Sequence, residues 1–399
     1  MPGWNSFDAF LADVSQAPDE AARRRLVDRL QSERAVFPWI EGNVATFVYR
    51  GDAQSVALNL DTIPSDPPFM PLERLPGTDF WYLRYPFEPD DLLDYLLAVD
   101  DPGTPLAHEV DVAGRVATHW RADSLNPNRM EAGSTAVSVL RMPDARPFPD
   151  WNALRGVPRG SVTEHTIDST NISMSDRKVW VYTPPGYETA GSAYPVLILQ
   201  DGQWAAGPLQ VPSIADALIK HRRLKPVIII MVQSATQPAE REREYIRADR
   251  YYTFLISELL PFIQTRYRVD MTQVGIGGVA VGAVAAAAAA LNNPVVFSRL
   301  MLVSMPLGKG TFQDELREIV KRFNSAGKLP ARIFQSIGRY ESRARFVRPA
   351  QALRTILDGT PGLEYRYAEL GSGHGLVGFR GILPEALAWV FPGDAFAES

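Results

Sequence analysis

The stretch Gly278-Val279-Ala280-Val281-Gly282 constrains the fold more than any other part of this chain. A short strand-like run, Val274-Gly275-Ile276, leads into it, and a small-residue helical run, Ala283 to Leu291, leads out. Passing from strand to helix through two framing glycines demands a turn so sharp that a side chain at either glycine would clash. Turns of this kind sit at the carboxyl edge of an α/β sheet. The surrounding sequence agrees. Val196-Leu197-Ile198-Leu199 and Val227 to Val232 are continuous apolar runs, as strands buried on both faces require. Leu300 to Val303, Ile333 to Ser336 and Glu364 to Tyr367 are further strands, and Lys178 to Thr183 is another, ended by Pro184-Pro185-Gly186. Helical stretches alternate with them: Ile214–His221, Tyr252–Tyr267, Phe312–Phe323, Pro349–Leu357 and Pro384–Val390. Such alternation predicts a mostly parallel α/β sheet flanked by helices, over residues 160–395.

The first part of the chain reads differently. Phe7 to about Arg34 has helical spacing of apolar residues, with Leu26 and Leu30 among them. Ala45–Arg50, Val56–Leu60 and Phe80–Tyr85 are short strand-like runs separated by Gly, Pro and Asp turns. Residues 1–145 therefore predict a helical start and a smaller β-sandwich-like domain, and the proline-rich stretch 146–159 reads as a linker.

Composition narrows the function. A hydrophobic fraction of 46% and a charged fraction of 22% are those of a globular protein. A net charge of −5 gives no global attraction to nucleic acid or to an anionic membrane. The absence of cysteine excludes disulfides, thiolate metal sites and a cysteine nucleophile. Acidic residues at Asp8, Asp13, Asp19 and Glu20 interrupt the N-terminus, which lacks signal-peptide shape, so the expectation is a cytoplasmic protein. No metal or cofactor is called for.

The turn has the G-x-S-x-G spacing of a hydrolase nucleophile elbow, with alanine where serine would stand. Ala280 has no oxygen to attack a carbonyl. Hydrolases of this type order nucleophile, acid and histidine along the chain, and His374 is the one histidine downstream of Ala280. It sits in a glycine-rich loop just after a predicted strand. Glu341 follows another strand end and is the candidate acid, to fix the imidazole and stabilise its charged form. An oxyanion hole needs two backbone N–H groups, one from Val281 and one from the loop after Leu199, at Gln203 or Trp204. The segment Arg241 to Arg250 follows the Val227–Val232 strand. Its alternating charge is either a solvated face or a grip on an anionic substrate by Arg241, Arg243, Glu244 and Arg250, with Trp204 and Tyr251 as flat walls.

Several motifs in order resemble the enterochelin (ferric enterobactin) esterase family. They are Tyr182-Thr183-Pro184-Pro185-Gly186-Tyr187, Leu199-Gln200-Asp201-Gly202-Gln203-Trp204, Arg241 with Glu244, the elbow, and Asn293-Pro294 to Phe297. Gly338-Arg339-Tyr340-Glu341 and Gly373-His374 continue the series, and Asp123-Ser124-Leu125-Asn126-Pro127 resembles the end of the family's N-terminal domain. The resemblance implies an N-terminal domain followed by an α/β-hydrolase domain that cleaves serine-based trilactone siderophores in the cytoplasm, without a metal of its own. Any ferric ion belongs to the substrate.

Three departures from that pattern stand out. Ala280 replaces serine, Gly375-Leu376 replaces the Asp-Trp that usually follows the histidine, and Ile246 to Tyr251 differs from the common sequence. The chain thus reads as a serine esterase for a siderophore-like, trilactone or peptidyl ester, inactivated by a serine-to-alanine change. A natural non-catalytic ligand-binding homologue, and an acyltransferase or biosynthetic release enzyme on the same fold, are the alternatives.

Overall fold

The computed structural model describes residues 3–60, 62–63, 65–132, 135–147, 156–172 and 174–396. The chain divides into two compact units. Met1–Arg146 with Gly371–Gly378 make the first, and Pro147–Leu370 with Phe379–Ser399 make the second. Most of the expected linker, residues 148–155, lies outside the described residues.

In the first unit the helical start resolves into two helices, Phe7–Ser15 and Glu20–Glu33. Each is capped by a side-chain oxygen: Ser6 accepts from the Ala9 amide at 3.1 Å and Asp19 from the Ala22 amide at 2.7 Å. Two antiparallel sheets follow. One orders Trp39–Glu41, Val44–Arg50, Phe80–Pro86 and Glu73–Arg74. The other centres on Val56–Leu60, Leu92–Val99 and Thr135–Arg141. Strand Val44–Arg50 is buried on both faces. Its Val48 packs with Phe7, Phe10 and Leu30 of the helices, and its Phe47 meets Tyr95 of the second sheet edge-on at 5.0 Å. The helices therefore cover the outer face of the sandwich. Asp123 and Asn126, from the Asp-Ser-Leu-Asn-Pro motif, are buried on the Tyr95 hydroxyl at 2.7 and 3.0 Å. Burial pushes both the Asp123 carboxyl and the Tyr95 hydroxyl up.

The second unit is built on an eight-stranded sheet. Its order is Ser161–Ser169, Met174–Thr183, Ile228–Val232, Tyr194–Gln200, Val269–Val279, Phe297–Val303, Arg332–Gly338, Glu364–Leu370. The first two strands pair antiparallel, and the remaining six run parallel to one another. Tyr194–Gln200, Ile228–Val232 and Arg332–Gly338 are buried throughout; the apolar runs of the first two require it, while the third buries Arg332, Gln335 and Ser336 as well. Every residue from Val281 to Ala290 in the helix after the elbow is buried. Alanine suits that position because bulkier side chains would hold the helix away from the strands beneath it.

Sequence patterning missed two elements here. Ser161–Ser169 is a largely exposed edge strand of polar residues, without an apolar run to mark it. Pro238–Ile246, the charged segment, is a helix whose Tyr245 and Ile246 are buried. The last helix begins at Leu376, earlier than expected, and carries Pro384 in its interior.

Candidate active site

Strand Val269–Val279 passes through Ala280 into helix Val281–Asn292 with no intervening loop. Ala280 takes φ 53° and ψ −128°, a backbone region that side-chain-bearing residues rarely enter. Holding a non-glycine residue there costs about 1–3 kcal/mol and persists only where surrounding structure enforces it. Here the enforcement is visible. The Ala280 amide donates to the Val303 carbonyl at 2.9 Å, and its carbonyl accepts from the Ala283 amide at 3.0 Å. A Cβ on Gly278 would collide with the backbone of Gly282. A Cβ on Gly282 would lie 2.7 Å from Asp201 Oδ2 and 2.9 Å from Gln200 Cβ. Both framing glycines are thus sites of close approach. Val281 is the first residue of the helix, so its N–H has no acceptor within the helix and points along the positive end of the helix dipole.

The loop after Gln200 is equally fixed. Asp201 sits in the left-handed region at φ 58°, and Gly202–Ala206 forms a single helical turn. A Cβ on Gly202 would lie 2.5 Å from the Met231 carbonyl oxygen. The Trp204 and Ala205 amides both donate to the Asp201 carbonyl, at 2.9 and 3.0 Å. The Gln203 side chain pairs reciprocally with Ser234, Nε2 donating to Oγ at 2.7 Å and the Ser234 amide donating to Oε1 at 3.2 Å. The Trp204 amide is therefore engaged in the turn. Trp204 stays 40% exposed.

In the charged segment, two of the side chains proposed to grip a substrate are held by partners within the protein. Arg241 holds Asp201 with two hydrogen bonds of 2.6 Å, and Glu244 holds the fully buried Arg177 at 3.0 and 2.6 Å. Both side chains are thus engaged in ion pairs within the protein. Tyr251 is buried, not a wall, and its hydroxyl donates to Gln200 Oε1. The reason is helical geometry: Arg241, Glu244 and Tyr245 share the inward face, while Arg243 points to solvent. Arg250 is also exposed. Burial works against the Arg241 cation, yet Asp201 more than offsets it and raises its pKa. Burial pushes the Tyr245 and Tyr251 hydroxyls well above their usual range, so both remain neutral. Alternating charge in sequence disguised this network, because its partners lie on distant strands.

The six parallel strands share one carboxyl edge, ending at Gln200, Val232, Val279, Val303, Gly338 and Leu370. Glu341 follows Gly338 directly, its amide donating to the Gly338 carbonyl at 3.2 Å, and its side chain is buried. His374 follows Leu370, is exposed, and belongs to the segment Gly371–Gly378 grouped with the first unit. Within that unit the Leu92 amide donates to the Gly371 carbonyl at 2.7 Å. A Cβ on Gly375 would collide with the Asp94 carboxylate, so the space that a side chain after His374 would need is already filled. Among the described residues no group of three or more His, Asp or Glu could hold a metal ion, and no helix is long and apolar enough to cross a membrane.

Comparison with known proteins fits this geometry. The family model described as "Putative esterase" matches residues 170–390, and "Enterochelin esterase, N-terminal" matches residues 44–151. The iron(III) enterobactin esterase of Dickeya dadantii is 26% identical over 81% of this chain and 79% of its own length. That of Escherichia coli K12 is 29% identical over 57% of this chain and 58% of its own. The crystal structure of the Shigella flexneri enterobactin esterase, in the presence of enterobactin, superposes with a TM-score of 0.74. It covers 91% of this chain and 97% of that one, at 22% identity. The ferric enterobactin esterase of Salmonella typhimurium gives the same TM-score at 21% identity. With both of its parts matched in order and the elbow geometry intact, the chain belongs to the enterochelin esterase family of carboxylic ester hydrolases.

Proposed function

We propose that the elbow at Ala280 is the reaction centre for a siderophore-like ester, a trilactone or peptidyl ester, which this chain binds and, lacking a nucleophile, does not cleave. The carrying observation is the Ala280 backbone, held at φ 53° and ψ −128° between two closely packed glycines. A strained turn of this kind aims one side chain out of the sheet edge. The relatives named for iron(III) enterobactin supply the substrate class. In this reading the protein works in the cytoplasm.

The chemistry follows from the residues. With serine at position 280, Oγ attacks the ester carbonyl as His374 takes its proton, and Glu341 steadies the imidazolium. The Val281 and Gln203 amides receive the oxyanion. His374 returns the proton to the departing alkoxide, leaving an acyl-enzyme. Water, deprotonated by His374, then releases the acid and restores the serine. Exposed Arg243 and Arg250, with Trp204, are left to meet an anionic ester.

The test is Ala280→Ser. In well-studied triads, loss of the nucleophile costs about a million-fold in turnover. The variant should hydrolyse an activated ester several orders of magnitude faster than the parent and take up a phosphonate probe covalently. His374→Ala in the same background should abolish both. A folded Ala280→Ser protein that neither labels nor hydrolyses activated or trilactone esters would overturn the catalytic reading in favour of a non-catalytic binder.

A further inference from the structure

A groove of about 990 Å³ lies between helix Gln313–Ser325 and helix Arg348–Asp358, closed at one end by the loop at Leu307–Lys309. None of its lining residues is among those proposed for the ester. Four of them are cationic: Lys309, Arg317, Lys321 and Arg348. None is acidic, although the chain carries 46 acidic and 41 basic residues. The cations come from three separate segments, so one helix's surface pattern does not account for them. Leu307, Val320, Ala352 and Ile356 supply an apolar floor. The volume is that of a small-molecule site.

The backbone that carries two of the exposed cations is held by hydrogen bonds. The Leu307 and Gly308 amides donate to the Arg345 carbonyl at 3.1 and 3.0 Å, and the Lys309 amide donates to the Ala344 carbonyl at 3.1 Å. This ties the loop bearing Lys309 to the chain that leads into Arg348. That chain, Arg343–Val347, is a π-helical turn, a rare geometry frequent at functional sites and also present at Leu255–Leu259. It forms the amino-terminal start of a helix, whose dipole adds positive potential there. Among the described residues Lys309 and Arg348 form no ion pair. Arg317 and Lys321 have exposed partners only, Asp314 at 3.6 Å and Glu318 at 3.2 Å. Such pairs are weak and yield readily to a better anion.

We propose that this groove is a second binding site, for a small amphipathic anion. The anionic head sits on Lys309 and Arg348, and the apolar body lies on Val320, Ala352 and Ile356. Charge sets the head, since uncompensated cations favour an anion. The floor sets the body, since burying apolar surface of the ligand adds affinity that a free anion lacks.

Titration calorimetry on the full chain tests this with three probes below their micelle concentrations: octyl phosphate, octyl glucoside and inorganic phosphate. Octyl phosphate should bind at least about ten-fold more tightly than either of the others. Lys309→Glu with Arg348→Glu should weaken it by about ten-fold or more, while Lys309→Arg with Arg348→Lys should retain it. Val320→Trp should block it by filling the floor. All three altered positions, Lys309, Arg348 and Val320, line the groove, and thermal unfolding of each variant confirms the fold. Equal binding of octyl glucoside, equal binding of inorganic phosphate, or octyl phosphate binding unmoved by charge reversal would each overturn the proposal. So would binding detected only on phosphatidylglycerol vesicles, since the groove then serves a membrane surface instead of a single molecule.

Discussion

Arg241 and Asp201 form a two-pronged ion pair directly behind the elbow, with both hydrogen bonds at 2.6 Å. Asp201 Oδ2 occupies the space that a side chain on Gly282 would need. The turn that presents position 280 is thus wedged against the loop that carries Gln203, and Arg241 sets the wedge.

Arg241→Ala should therefore act on stability first. It leaves a buried carboxylate without its cation, and Arg241 is itself partly exposed. A loss of about 2 kcal/mol is expected, below the range for fully buried pairs. Urea denaturation measures it, with Arg241→Lys falling between parent and alanine variant. A stable Arg241→Ala protein with weakened ester binding would restore the substrate-grip reading.

Ala280→Gly should stabilise the protein. Glycine enters the region at φ 53° and ψ −128° without strain, and the release exceeds the added unfolded-state entropy by about 1 kcal/mol. The melting temperature should rise. Gly282→Ala should do the opposite, since its methyl group meets Asp201 and Gln200 inside van der Waals distance. In the Ala280→Ser background it should also lower kcat, with the melting temperature read alongside.

Glu244→Ala should be more damaging than Arg241→Ala. Arg177 has no solvent exposure, so losing Glu244 takes a carboxylate partner from a buried guanidinium that also donates to the Gln233 carbonyl. About 3 kcal/mol is expected, and Arg177→Met with Glu244→Leu should recover much of it in the same denaturation assay.

Stability should fall as the pH drops below about 6.5, in part through His165. Its Nε2 is hydrogen-bonded to the Tyr267 hydroxyl at 2.6 Å, and its ring packs against Phe262. Burial, then the nearby Arg266 charge, lowers its pKa below the usual 6.5. The unfolded chain then binds the proton more tightly than the folded one, so stability rises with pH through that window and is lost on acidification. His165→Gln should flatten the profile of denaturation midpoint against pH between 5 and 7.5; an unchanged slope would assign the effect elsewhere.

Local pattern was enough for much of this molecule. Unbroken apolar runs such as Val196–Leu199 mark a strand by themselves, because burial on both faces leaves no polar position. Two glycines around Ala280 mark the sharp turn, because a Cβ at either place has nowhere to go. Chain order alone was enough to single out His374 and Glu341 as candidates. The exposed polar strand Ser161–Ser169 left no such trace, since an edge strand is held by pairing and not by its own hydrophobicity.

What only the tertiary structure decided is how the polar side chains are used. Arg241 and Glu244 look the same in sequence whether they face solvent, substrate or core. Folding brings Asp201, from the loop after strand Tyr194–Gln200, and Arg177, from strand Met174–Thr183, against them, and each forms an ion pair there. The positive φ of Ala280 belongs to the same class of fact. It is imposed by Val303, Gly282 and Asp201 together, and alanine has no preference of its own for that conformation.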